Sequence, residues 1–292
     1  MTRNGKTALP WFRRPAVWRR FRASGWAMFG LVFLAAEALA VILLPILFHM
    51  DPVTSDLQAG FHAAPSAAHL LGTDGAARDL LARTLYGGRV SLLVGVSAAV
   101  IGAAVGMPLG LIAGYYRGIA EILIIRAADV FQSFPSLLLA LILVTFIGPS
   151  LGTVILVIGI MSWTNTAKLV YANVLSVRER EYIASAVSIG RSDFDILVHE
   201  ILPESISPVL VSLSFRAGGA ILQESGLSFL GAGIRPPQAS WGGIISAAQD
   251  LSVLMRFPWV WMPSCILIIL TMASFTFVGE GLRDALDPRM KL

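Results

Sequence analysis

The sequence predicts an all-α, polytopic membrane protein of six transmembrane helices, one N-terminal helix followed by a five-helix core. Three observations carry this. Of its 292 residues, 56% are hydrophobic and the mean hydropathy is +0.75. Only 14% are charged, against about 25% in a soluble globular chain. The apolar residues are gathered into six runs, each near the roughly 20 residues that cross a hydrocarbon core. A backbone in lipid has to satisfy its own hydrogen bonds, which makes such runs helices. The scarcity of alternating polar residues argues against an outer-membrane barrel.

The expected spans are 26–48, 90–113, 122–147, 151–170, 207–225 and 259–279. The first is long for a signal-peptide core and lacks a small-x-small cleavage site after it, which makes it an uncleaved anchor. The chain divides accordingly into a basic tail (1–25), the first span (26–48), an extracytoplasmic region (49–89), a core (90–279) and a C-terminal tail (280–292). Within the core, loop 171–205 faces the cytoplasm and loop 226–258 faces outward.

Charge sets that orientation. Seven Lys/Arg and no Asp or Glu occur in the first 25 residues, and a basic flank beside a first apolar helix stays in the cytoplasm. Six crossings return the C-terminus to the same side. Arg117, Lys168, Arg178, Arg180, Arg191, Arg283, Arg289 and Lys291 agree with this placement, whereas Arg78, Arg83 and Arg89 fall on the outer side. The net charge of +4 thus reflects membrane orientation and not nucleic-acid binding. A single cysteine, Cys265, permits no intrachain disulfide. His62 and His69 read as polar surface rather than a metal pair. No GxxxxGK[ST] or HExxH motif is present, so the chain is expected to be no enzyme and to bind no cofactor of its own.

Several residues inside the spans stand out. Gly102, Gly106, Gly110 and Gly114 recur every fourth residue, a stripe that allows close helix approach or lines a path. Arg126 and Asp129 are three apart and suited to pair, and Pro135 offers a hinge. Arg216 falls near mid-membrane, where a charge has to face protein or water. It is either a buried structural donor or a group on a translocation path. Glu224 lies eight residues on, at an angle that disfavours pairing with Arg216 within one helix.

The charged segment 178–203 interrupts the apolar pattern. It reads as a helix to Ser188, a break at Gly190, and a second short helix capped by Ser192 with Asp193 and Asp195 in its first turn. Phe194 is an exposed aromatic suited to anchor in a partner's groove. The plainer reading is an ordinary amphipathic loop.

Residues 184–203 resemble the cytosolic signature of permease subunits of bacterial ATP-binding-cassette importers: E-A-A, three residues, Gly, nine residues, Ile-x-Leu-Pro. Here it runs Ala184-Ser185-Ala186, Gly190, then Glu200-Ile201-Leu202-Pro203. Ala184, Ser185 and Glu200 replace Glu, Ala and Ile, and Glu181 offers a carboxylate nearby. LGTDGAARDLLARTLYGGRVSLLVG (71–95), ESGLSFLGAGIRPPQASWG (224–242) and GEGLRDALDPRMK (279–291) are similar to segments of the second permease of the dipeptide/oligopeptide/nickel group, with Ala77 where that group has Gly. The resemblance spans the chain from about residue 20. It implies an inner-membrane importer subunit for dipeptides or oligopeptides, forming half of the pathway beside a homologous permease. Two ATP-binding subunits holding ATP and Mg²⁺, and an extracytoplasmic binding protein, would complete the assembly. The implied ATPase contacts are Glu181, Ala184, Ser185, Ala186, Gly190, Phe194, Leu202 and Pro203. Nickel or another small solute is the alternative cargo, and a non-transport scaffold or sensor the alternative class.

Overall fold

The computed structural model describes residues 15–286. In chain order the helices are α1 (Pro15–Ala23), α2 (Gly25–Leu47), α3 (Leu80–Tyr116), α4 (Gly118–Gln132), α5 (Ser136–Ile147), α6 (Leu151–Arg178), α7 (Glu181–Ser188), α8 (Asp193–Ile196), α9 (Leu202–Phe229), α10 (Trp241–Ile245), α11 (Leu251–Arg256) and α12 (Pro258–Leu286). A π-helical turn, Leu197–Ile201, joins α8 to α9. Among the described residues there is no strand, only two isolated bridges, Ser55 with Arg78 and Thr73 with Asp79.

Five helices are long and apolar enough to cross a bilayer, and a bent pair, α4 with α5, makes up to six. This corrects the third expected span. Residues 122–147 are not one helix, because α4 and α5 meet at 89°. Pro135 has no N–H to give and forces the preceding Phe134 out of helical geometry, which ends α4 and starts α5 anew.

Other boundaries move outward. Asp79 accepts from Ala82 N at 2.7 Å and starts α3 ten residues before 90, which shortens the region after the first span to 48–79. Helix α6 persists to Arg178, and α9 begins at Leu202 with Pro203 in its first turn and Pro208 inside it. The expected loop 171–205 therefore contracts to 179–201. Part of the basic tail is the helix α1. Residues 1–14, and Arg289 and Lys291, lie outside the described residues.

The α3–α6 pair is the most extensive helix contact, and the glycine stripe makes it. A Cβ at Gly106 would lie 2.5 Å from Trp163 O, one at Gly110 2.5 Å from Ala167 O, and one at Gly114 2.7 Å from Val174 Cβ. Gly102 faces Ser162 and Gly159 of the same helix. Around this seam Val94, Ala98, Val154, Val157 and Ile158 bury against Ala140, Val144 and Leu227 from α5 and α9.

Helix α2 is held chiefly by α12. Gly30 lies against the Ser274 carbonyl, and the Thr271 hydroxyl donates to the buried Glu37 carboxyl at 2.8 Å. Elsewhere Leu39, Ile42, Leu123, Ile142 and Ile269 lie uncovered. Apolar faces of that extent suit a bilayer or a partner helix.

The seam has a direct test. Gly110→Leu forces a side chain into the α6 backbone and should destabilise the chain by about 1–3 kcal/mol. A thermal melt in detergent checks this, with Gly219→Leu as control, since a Cβ at Gly219 meets nothing within 4 Å.

Candidate functional site

Helix directions define two ends. The α6–α9 loop shares one end with α1 and the end of α12; residues 48–79 and 230–257 lie at the other.

The loop is a short helix, a turn and a second helix that runs into α9. Gly190 makes the turn at φ +77°, a conformation only glycine adopts cheaply. Ser192 then caps α8 by accepting from Asp195 N at 3.2 Å. The inner side is welded to the bundle: Ile183, Ala186, Ile196 and Ile201 are buried with Tyr115, Val170, Val174, Val177 and Val209. Polar ties reinforce it. Tyr115 OH donates to Asp193 Oδ1 at 2.8 Å, Arg191 Nε to Asp195 Oδ2 at 2.5 Å, and Arg191 Nη1 to Glu200. Arg180 reaches Glu204 at 3.5 Å.

Phe194 is 73% exposed and Ile189 76%, so an apolar apex projects from a fixed base. Glu181, Ala184, Ser185 and Gly190 are exposed beside it, while Leu202 and Pro203 are half-buried at the start of α9. Ala186 differs from its neighbours. It is buried, because the helical period that exposes Ala184 and Ser185 turns Ala186 inward with Ile183, where it packs in the cluster that anchors the loop. Sequence reasoning missed the Arg191–Glu200 pair, although Glu200 was visible as a departure from the signature.

Midway along the bundle, the α4–α5 break carries a polar chain. Lys168 Nζ of α6 binds Asp129 Oδ1 at 2.7 Å and donates to Gln132 Oε1 at 2.6 Å. Gln132 Nε2 donates to Asn165 Oδ1 at 3.0 Å and to Thr164 Oγ1 at 3.1 Å. The expected Arg126–Asp129 pair does not form: Lys168, arriving across from α6, takes the carboxylate, and Arg126 stays exposed. Arg216 sits on α9, where its Nε donates to Ser212 Oγ at 2.9 Å and its Nη1 to Ser162 O at 3.4 Å. Charge asymmetry marks Lys168 only as a basic flank of the loop, and nothing in the sequence reading picks out Gln132 or Asn165. Their signal was polar residues spaced by three within an apolar run.

At the far end Glu224 is fully buried. It accepts from Ser228 Oγ at 2.7 Å and Ser91 Oγ at 3.3 Å, while Ser91 Oγ accepts from Trp241 N at 3.2 Å. This knot ties α3, α9 and α10 together and lies well apart from Arg216 along α9. The three arginines that broke the charge asymmetry are each engaged locally. Asp74 receives Arg78 and Arg83, and Arg89 donates to the Val41 and Ile42 carbonyls. Ala77 holds φ +56°, which explains a glycine preference at that position. His62 stacks on Phe257. No cluster of metal-ligating side chains occurs among the described residues.

Residues 106–292 match the family model described as the binding-protein-dependent transport system inner membrane component. The chain belongs to that family. Residues 16–65 of this permease also match the N-terminal TM domain of oligopeptide transport permease C. It is 38% identical over 273 residues to a protein of Brucella suis biovar 1 provisionally named a peptide permease, covering 94% of this chain and 90% of the relative. It is 37% identical over 280 residues to the glutathione transport system permease protein GsiD of Pectobacterium atrosepticum, with the same coverage. The crystal structure of an amino acid ABC transporter aligns with 68% of this chain and 91% of its own at TM-score 0.50 and 16% identity, a likeness of fold.

The end with residues 48–79 carries a titratable clamp. His69 Nδ1 lies 2.8 Å from Asp79 Oδ2 and Nε2 3.3 Å from Asp56 Oδ2. The hydrogen bond to Asp79 raises the imidazole above its ordinary value, burial opposing and Asp56 adding to it. A raised histidine stabilises fully below its unfolded pKa of about 6.5, and that stability is lost as pH rises through the folded value. Hydrogen exchange across 56–79 should therefore be slower, relative to the intrinsic rate, at pH 6 than at pH 8. His69→Gln should remove the difference.

Proposed function

We propose that this permease forms half of the translocation pathway of an ATP-driven importer of dipeptides or oligopeptides and receives its drive through loop 179–201. The observation that carries the reading is the loop's two-sided build. An apolar apex of Phe194 and Ile189 is exposed, while its base shares one buried cluster with α3, α6 and α9. A displacement at the apex is thereby transmitted to three spanning helices together, the kind of coupling that switches access from one face to the other.

The partners follow from that reading. A homologous permease covers the uncovered apolar helical faces and forms the opposite wall of a path beside the polar chain at the α4–α5 break. ATP-binding subunits, two per complex, grip the apex at Phe194, Glu181, Ala184 and Ser185 and themselves hold ATP and Mg²⁺. A binding protein delivers solute to the end bearing residues 48–79. The loop and both described chain ends share the opposite end, which is cytoplasmic in this arrangement, in the bacterial inner membrane. Peptide cargo is supported by the names of the relatives, one a peptide permease and one a glutathione transporter; glutathione is itself a tripeptide.

Gentle detergent purification of the tagged permease with mass spectrometry should recover a second permease and ATP-binding subunits. Recovery of the chain alone after crosslinking in intact membranes would favour a scaffold or sensor. Two variants test the loop. Gly190→Val places a β-branched residue at φ +77°, a local cost of about 1–2 kcal/mol. Phe194→Ala removes an anchor worth about 2 kcal/mol or more in a buried interface. Both should lower ATP-driven uptake at normal surface expression, and Phe194→Ala should also reduce ATPase co-purification.

A further inference from the structure

Arg216 stands 14 residues beyond Leu202 and 13 before Phe229 on α9, about 21 Å and 20 Å from its two ends at 1.5 Å per residue. A charge at that depth is expensive and should face protein or water. Its two hydrogen bonds go to neutral oxygens, Ser212 Oγ and Ser162 O. Among the described residues no carboxylate lies within ion-pair distance of it. A guanidinium carries five N–H donors in a planar fork that matches a carboxylate, so donors remain after these two bonds.

Arg216 is half-buried, at the border between the packed face of α9 and an exposed polar surface. Ser162, which holds Arg216, precedes Thr164 and Asn165, which hold Gln132, within a single turn of α6. Arg216 and the polar chain at the α4–α5 break thus share one stretch of α6. Asp129, Gln132 and Asn165 are exposed there. Gly219, three residues after Arg216, is exposed too, with open space where a Cβ would stand. Exposed amide and carboxylate groups within a spanning bundle face water or another protein chain and not lipid. On that surface Asp129 and Lys168 cancel each other at 2.7 Å. Arg126 is exposed on α4, whereas Arg216 is half-buried and has only neutral acceptors.

We propose that Arg216 receives a carboxylate of the solute during its passage, with Ser212 and the Ser162 carbonyl holding the guanidinium toward the path. For a peptide this is the α-carboxylate at its C-terminus or an acidic side chain. The inference rests on the importer reading and adds to it a specific contact. The neutral Asp129–Lys168–Gln132–Asn165 chain beside it offers amide and ammonium donors to peptide carbonyls without competing for the carboxylate.

The test uses the complete transporter in proteoliposomes, with its loaded binding protein and radiolabelled trialanine as probe. Wild type is compared with Arg216→Lys, Arg216→Gln and Arg216→Glu for uptake, ATP hydrolysis and subunit assembly. Arg216→Gln should lower maximal uptake about tenfold or more, the scale of one lost charge-assisted hydrogen bond. Assembly and the stimulation of ATP hydrolysis by loaded binding protein should persist, so that fewer peptides move per ATP. Arg216→Lys should recover part of the loss and Arg216→Glu should deepen it. Uptake by Arg216→Gln at the wild-type rate overturns the proposal. So does a parallel loss of assembly and stimulated hydrolysis, which assigns Arg216 to packing or to an acid of the partner permease. A wild-type complex that hydrolyses ATP in response to its binding protein yet moves no trialanine overturns the peptide reading instead.

Discussion

Close approach of α3 and α6 is the constraint on which the rest of the structure depends. Two membrane helices gain little from hydrophobicity against each other, because lipid is as apolar as their side chains, and van der Waals contact over a long seam has to hold them. Four glycines on one face of α3 remove the side chains that would keep the axes apart, and the α6 backbone carbonyls of Trp163 and Ala167 come close enough to exclude even a methyl group. Helix α6 then fixes what lies at its two ends and along its flank. Its last turns supply Val170, Val174 and Val177 to the cluster under loop 179–201. Its middle presents Ser162, Asn165 and Lys168 to α9 and to the broken helix. A looser seam would blur the position of the loop and of the polar surface together.

Three carboxyl groups of the bundle each meet a polar partner delivered by another helix. Glu37 takes the Thr271 hydroxyl, Glu224 takes two serines, and Lys168 takes Asp129. The first two are buried links that fasten helices to each other, α2 to α12 and α3 to α9. The third sits on an exposed face at the break between α4 and α5. Burial therefore separates polar groups that assemble the chain from polar groups on its exposed faces, and the half-buried Arg216 stands between the two.

The loop shows the same separation in apolar residues. Helix α7 exposes Ala184 and Ser185 and buries Ile183 and Ala186, so neighbouring positions of one signature serve opposite purposes. Glu200, a departure from the signature, is tied to Arg191 next to the Gly190 turn. That pair and Tyr115–Asp193 stiffen the loop against α3 and the start of α9. The exposed phenylalanine therefore stands on a base fixed to the spanning helices.

The sequence by itself determined the class of protein, the number of apolar runs, the glycine stripe on one face of α3, the turn at Gly190 and the cap at Ser192. These are properties of composition, period and local backbone preference, which need no knowledge of neighbours. It also placed a hinge at Pro135, but not a bend of 89°, because how far a broken helix folds back depends on what it packs against. Helix ends moved for a related reason: Asp79 extends α3 past the apolar run, and caps are set by side chains that hydropathy does not weigh. Pairing was decided only by tertiary structure. Asp129 had a cation three residues away on its own helix, yet binds Lys168 from another, since an exposed neighbour in sequence competes poorly with one delivered by helix packing. The isolation of Arg216 is likewise a fact of packing. A sequence can say that a charge lies at mid-membrane, and only the arrangement of α4, α6 and α9 says that no carboxylate of the described chain comes to meet it.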